Sequence, residues 1–146
     1  MNAADQAMSD FSAGYSCSQS VLRAFAAQLG LEPDEACRIA SAFGGGMGRT
    51  GRTCGAVTGA LMALGLRYGF TDPQDKATKD QVYALTQQFL QAFEAKHGST
   101  DCPGLLGCHI GTPDGAQQAR DQNVFKLKCP DFVHDAAAFA AELIER

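Results

Sequence analysis

Cys54-Gly55-Ala56-Val57-Thr58-Gly59-Ala60-Leu61-Met62-Ala63-Leu64-Gly65-Leu66-Arg67-Tyr68 is the stretch from which the rest of the chain is read. Val57, Leu61, Met62, Leu64 and Leu66 sit among small residues. The run is too long and too rich in Ala and Leu for a strand, so it predicts one buried helix. The spacing Gly55-x-x-x-Gly59, with Ala56 and Ala60 beside it, lets another backbone approach closely. It does so at about 1 kcal/mol per interior glycine relative to alanine. Something is expected to pack tightly there, and a second copy of the chain is one candidate, which would make this face a homodimer seam.

Upstream, Ser16 and Gln19 have capping-box spacing. Val21, Leu22, Phe25, Ala26 and Leu29 then recur at helical intervals until Gly30, which puts Cys17 in a first helical turn. Pro33 opens a second, short helix in which Cys37 sits among Ile39, Ala40 and Phe43 and reads as inert core. Gly44-Gly45-Gly46 ends it. Downstream, Asp72-Pro73 breaks the chain, and Val82, Leu85, Phe89, Leu90 and Phe93 mark a long amphipathic helix ending near His97-Gly98. From Cys102 to Asp121, Gly104, Gly107, Gly111, Pro113 and Gly115 argue for turns and one short helix rather than extended structure. Pro130 opens the last helix, whose apolar face runs from Phe132 and Val133 to Leu143 and Ile144. With no alternating strand, repeat or linker, residues 1–146 are expected to form one all-α domain. It would be a bundle of about five helices with a Gly-rich loop and a Cys/Gly/Pro-rich loop.

A chain of 146 residues can bury a core without disulfide staples. Its 45% apolar content and net charge of −4 describe a soluble globular protein, and they argue against a nucleic-acid partner. The longest apolar run, from about Ala56 to Leu66, falls short of the roughly 20 residues that span a bilayer, so membrane insertion is not expected. Met1 to Ala7 lacks a basic region followed by an apolar core, which points to a cytoplasmic address. In a reducing compartment, the six cysteines are better suited to redox cycling or metal ligation than to permanent bridges.

Four of the six share one placement. Cys17, Cys54, Cys102 and Cys129 each precede or open a stretch that can be helical. Helix beginnings present free amides and a positive dipole end, so thiols there are expected to lose their protons readily and become nucleophiles or metal ligands. Their gaps are too wide for a local metal knuckle, and any shared site must be assembled by the fold. Cys108, beside His109 in a glycine-rich loop, is a candidate resolving thiol or extra ligand. His97 and His134 read as a helix-dipole partner and a surface residue.

Gly46-Met47-Gly48-Arg49-Thr50-Gly51-Arg52-Thr53 has phosphate-loop spacing with Arg52 in place of lysine, but a helical pattern precedes it instead of a strand. The better reading is that its glycines wrap the backbone near Cys54 while Arg49 and Arg52 stabilise a thiolate or an anionic ligand. Gln19 supports Cys17 through the capping box.

At these residues the chain resembles the C_GCAxxG_C_C family, small proteins with four cysteines and a CGAxxG element. The resemblance rests on Gly14-Tyr15-Ser16-Cys17-Ser18-Gln19, on the Phe43-to-Gly48 loop leading to Cys54-Gly55-Ala56-Val57-Thr58-Gly59, on Cys102 before Leu105-Leu106-Gly107, and on Cys129. It covers the chain from about Phe11 onward. In this sequence the order is Cys-Gly-Ala, and Cys37 and Cys108 are additions to the four-cysteine pattern. The resemblance implies a bacterial or archaeal redox-active protein without naming a substrate. No CxxCH attachment site for haem is present.

The expected activity is thiol–disulfide exchange or electron transfer with a redox partner or small thiol. Cys17 and Cys54 would form the reactive pair, with Cys102 and Cys129 as a second pair or resolving thiols. The alternative is a site in which the same four thiolates hold zinc, copper(I) or an iron–sulfur cluster.

Overall fold

The computed structural model describes residues 1–146, and it is all-α. Its helices are α1 (Ala3–Ser12), α2 (Cys17–Ala26), α3 (Pro33–Ala40), α4 (Gly44–Met47), which is a single turn of mostly left-handed backbone, α5 (Gly55–Tyr68), α6 (Lys76–His97), α7 (Cys102–Leu106), α8 (Pro113–Asp121), α9 (Val124–Leu127) and α10 (Cys129–Ile144). Five of them, α1, α2, α5, α6 and α10, are ten residues or longer and carry the core. No helix is long and apolar enough to cross a membrane.

Local chemistry starts most of these helices. The Ser16 hydroxyl accepts the Gln19 amide at 3.3 Å while the Gln19 side chain accepts the Ser16 amide at 3.1 Å, which completes the expected capping box. Asp75 caps α6 and Thr112 caps α8, and Pro33 and Pro130 lie in the first turns of α3 and α10, where a missing N–H costs nothing. Helix α1 lay outside the sequence reading. Asn2 caps it through the Asp5 amide at 2.8 Å, and Ala4 and Ala7 are buried as α1 packs on α10 and α2.

Helix α5 lies at the centre, with Gly55, Ala56, Val57, Gly59, Ala60, Ala63 and Leu64 buried. Its glycine face is filled by α2 of the same chain. A Cβ on Gly59 would stand 2.7 Å from the Ser18 carbonyl oxygen and 3.2 Å from Val21 Cβ. The close approach predicted from Gly55 and Gly59 is therefore real, but it is an intrachain seam and leaves no face there for a second copy. The Tyr68 hydroxyl donates to the Leu143 carbonyl at 2.7 Å, tying the end of α5 to the end of α10.

Between α3 and α5 the backbone reverses its hand. After a 3₁₀ turn at Ser41–Phe43, Gly45 (φ 68°), Gly46 (67°), Met47 (70°), Gly48 (62°) and Arg49 (67°) are consecutively left-handed. Such a run is costly for L-residues at roughly 1–2 kcal/mol each, and glycine relieves it at three of the five positions. Bonds from the Gly51 amide to the Gly45 carbonyl (3.3 Å) and from the Arg52 amide to the Gly46 carbonyl (2.9 Å) close the turn. The Thr50 hydroxyl adds a further bond to the Gly46 carbonyl at 2.8 Å.

Candidate functional site: a four-thiol cluster

The one strand-like contact in the molecule builds the centre of the site. Thr53 and Asp101 form an isolated antiparallel bridge, flanked by bonds from the Cys54 amide to the Thr100 carbonyl and from the Cys102 amide to the Arg52 carbonyl, both 2.8 Å. Cys54 and Cys102 each follow a bridged residue, so the alternation of extended backbone turns both side chains to the same side. They are 5% and 7% exposed, and both line one small cavity. Gly46 backs this arrangement. A Cβ there would lie 2.6 Å from the Arg52 nitrogen and 2.9 Å from Cys102 Sγ.

Cys17 and Cys129 close the cluster from two other helices. Cys17 is the first residue of α2, and its sulfur lies so close to Gly55 that a Cβ at that position would overlap it. Cys129 is the first residue of α10. A small apolar cavity is lined by Cys54, Cys102 and Cys129 together with Phe132. A second cavity, of about 470 Å³, is lined by Cys17 and Cys129. Cys129 thus stands between the two cavities. The cluster has a buried layer, Cys54 and Cys102, and a half-buried layer, Cys17 and Cys129.

Burial governs the protonation of these thiols. Cys17 is raised above the ordinary thiol value by desolvation and then by the charge Cys54 would carry, while the amides of Gly45 and Ser18 pull the other way. Cys54 is raised well above that value, first by the neighbouring Cys102 thiol and then by burial, against the amides of Ala56 and Val57. Cys129 is pushed up to about 12 by desolvation, with Cys17 and Cys54 adding repulsion. The expectation that helix beginnings would lower these values is corrected. A helix terminus contributes about 0.3–1 kcal/mol, less than the cost of a thiolate out of water among other thiols.

The structure separates the remaining candidates. Arg49 lines the larger cavity, its stem resting on Gly45. The Arg52 side chain is exposed and away from both cavities; its backbone serves the site, as partner of Gly46 and Cys102. Gln19 acts one layer back, donating to the Cys37 carbonyl at 3.1 Å besides its capping role. Cys108 is buried with its thiol toward the Leu106 carbonyl at 4.0 Å, and it lines neither cavity. The His109 ring is exposed and packs at the Gly51 turn, where Nδ1 accepts the Gly111 amide at 3.1 Å. Cys37, read as core, is half-exposed on α3 and lies outside the core cluster. Its thiol is raised chiefly by desolvation, while Arg23 opposes the shift. The phosphate-loop spacing is occupied by the left-handed turn, with helix and 3₁₀ turn before it.

His97 has a partner the sequence did not reveal. Its Nε2 lies 2.8 Å from Asp135 Oδ2, and the ring packs between Phe93 and Phe132. Asp135 also meets Lys96 at 2.9 Å and His134 at 2.9 Å. Burial pushes its carboxyl up, but the hydrogen bonds from His134, Lys96 and His97 bring it below the ordinary range. This group fastens α6 to α10 beneath the site.

Sequence reasoning also missed the walls of the larger cavity. Phe11, Ile110, Arg120 and Phe125 come from α1, the α7–α8 connection, α8 and α9, and no local motif marks them. No three His, Cys, Asp or Glu side chains are grouped closely around one point.

No curated protein and no solved structure matches the chain. A family model does match it, over residues 15–143, under the description "Putative redox-active protein (C_GCAxxG_C_C)". That span contains Cys17, Cys54, Cys102 and Cys129 and the glycine turn that backs them, and the chain belongs to the C_GCAxxG_C_C family.

Proposed function

We infer that this protein carries out thiol–disulfide exchange, with Cys17 as the entry thiol and Cys54 and Cys102 as the pair that stores the disulfide. The observation that carries this reading is the position of Cys54. It sits beside Cys102 at the Thr53–Asp101 bridge, lines the small cavity with Cys102 and Cys129, and lies near enough to Cys17 for its charge to raise that thiol.

Cys17 lines the larger cavity, where an incoming disulfide can reach it, and the Gly45 and Ser18 amides offset part of the desolvation that raises its thiol. The attack forms a bond from Cys17 Sγ to one substrate sulfur and breaks the substrate S–S bond. The released thiolate takes up the proton that Cys17 gave to solvent. Cys54 then attacks Cys17 Sγ and expels the second substrate thiol, leaving a Cys17–Cys54 disulfide. Attack by Cys102 on Cys54 Sγ frees Cys17 and moves the bridge to Cys54–Cys102. One disulfide is reduced to two thiols, one protein dithiol is oxidised, and a dithiol partner running the steps backwards restores the start. Cys129, on both cavities, is placed to compete with Cys54 for the mixed disulfide. The metal-binding alternative has less support, because the donors are not grouped for an ion.

Mass spectrometry after equilibration in graded thiol–disulfide buffers tests the reading. A reversible Cys54–Cys102 bridge and a mixed disulfide trapped on Cys17 in a Cys54→Ser/Cys129→Ser variant are expected. No reversible bridge among the four thiols, or labelling of Cys17 no faster than Cys37, would refute it. Stoichiometric metal in anaerobically purified protein would favour the alternative.

A further inference from the structure

We propose that the larger cavity selects a small disulfide bearing carboxylates, bound by Arg49 and Arg120 above Cys17. The inference rests on the exchange reading for the chemistry, but its electrostatic content stands on the cavity itself.

In a chain of net charge −4, the only charged residues lining this cavity are those two arginines. Neither is paired with a carboxylate. The molecule's ion pairs involve Arg23, Lys96, His97 and His134, and the one side-chain partner of Arg120 is the neutral Gln117 amide oxygen, 2.8 Å away. Arg49 is also held in place at a cost. It occupies a left-handed conformation (φ 67°) that a glycine would adopt freely, and its stem lies over Gly45, whose amide favours the Cys17 thiolate. A long cation at a position suited to glycine is accounted for when the guanidinium has a ligand to meet. Phe11, Ile110 and Phe125 supply apolar wall, and a volume of about 470 Å³ lies within the range of small-molecule sites. Guanidinium–carboxylate bonds at the rim, with apolar contact to the carbon chain, would set the S–S bond beside Cys17.

The test compares exchange rates with three disulfides of similar size: dithiodiglycolate (dianionic), bis(2-hydroxyethyl) disulfide (neutral) and cystamine (dicationic). The anionic probe is expected to react about tenfold faster than the neutral one, and cystamine slowest. In an Arg49→Asn/Arg120→Gln variant, where asparagine tolerates the left-handed backbone, the anionic-to-neutral ratio should fall to about 1. Equal rates, or a preference for cystamine, overturn the inference. Failure to exchange with any probe would instead sink the exchange reading, and a second arm addresses that case. Adipate, the sulfur-free analogue of dithiodiglycolate, titrated into the wild-type protein should shift the side-chain NεH resonances of Arg49 and Arg120 and the Gly45 amide. Absence of those shifts overturns the anion site whatever the exchange rates show.

Discussion

Two regions bring sulfur atoms to the same place by opposite use of glycine. At the α2–α5 seam, Gly55 and Gly59 are right-handed helical residues, and what they contribute is the absence of a side chain, which lets α2 and the Cys17 sulfur come close. In the 45–52 turn, Gly45, Gly46, Gly48 and Gly51 contribute their tolerance of positive φ, and Gly46 and Gly51 are also needed for space, a Cβ on Gly51 standing 2.8 Å from His109 Nδ1. The seam is a packing device and the turn a handedness device. The same glycine-to-alanine change should therefore fail for different reasons in each.

Gly59→Leu should have the largest effect. A Cβ already meets the Ser18 carbonyl at 2.7 Å, and overpacking against backbone typically costs about 1–3 kcal/mol or more, so urea unfolding should show a loss of about 3 kcal/mol with α2 displaced. Gly46→Ala combines both penalties, strain at φ 67° and contact with Arg52 and Cys102. A loss of about 2 kcal/mol is expected, with less Cys54–Cys102 disulfide at a given redox potential. If the disulfide yield is unchanged, the turn does not position Cys102. Arg49→Gly should move the other way, gaining about 0.5–1 kcal/mol in the same unfolding measurement as left-handed strain is relieved; destabilisation would mean the turn does not bear that strain.

Titration separates the sulfur layers. A thiol whose folded pKa is raised favours the native state below the unfolded value and loses that contribution as pH climbs toward the folded one. Between the ordinary thiol value of 9.0 and about 12, wild-type stability should fall more steeply than that of Cys129→Ala. Parallel curves would show that Cys129 is not buried as described. The gentlest test is alkylation of Cys17. With its pKa raised, the labelling rate should climb about tenfold per pH unit from pH 7 to 9, and a plateau there would reveal a low-pKa thiolate.

Much of this architecture was legible because its signals are local. The Ser16–Gln19 box, the prolines in first turns and the Ala/Leu periodicity of α5 act within a turn or two of the residues that carry them. Helix α1 escaped because its buried apolar positions are alanines, whose burial depends on where α10 lies. Cys37 was misplaced for a related reason: its apolar neighbour Ile39 is itself 53% exposed, so a helical pattern alone did not reveal which face was covered. The Thr53–Asp101 bridge joins segments separated by two helices, beyond any local pattern.

The sequence by itself determined that the chain is helical, and it marked the four helix starts that carry Cys17, Cys54, Cys102 and Cys129. Caps and periodicity suffice for that, since they depend on neighbours along the chain. The tertiary structure decided that the four thiols line two cavities joined at Cys129, that the glycine turn is left-handed and that the glycine seam is filled from within. It also reversed the expected ionisation. A helix dipole can be read from a residue's place in the chain, whereas desolvation and thiol–thiol repulsion depend on atoms that only folding brings together, and here they are the larger effect.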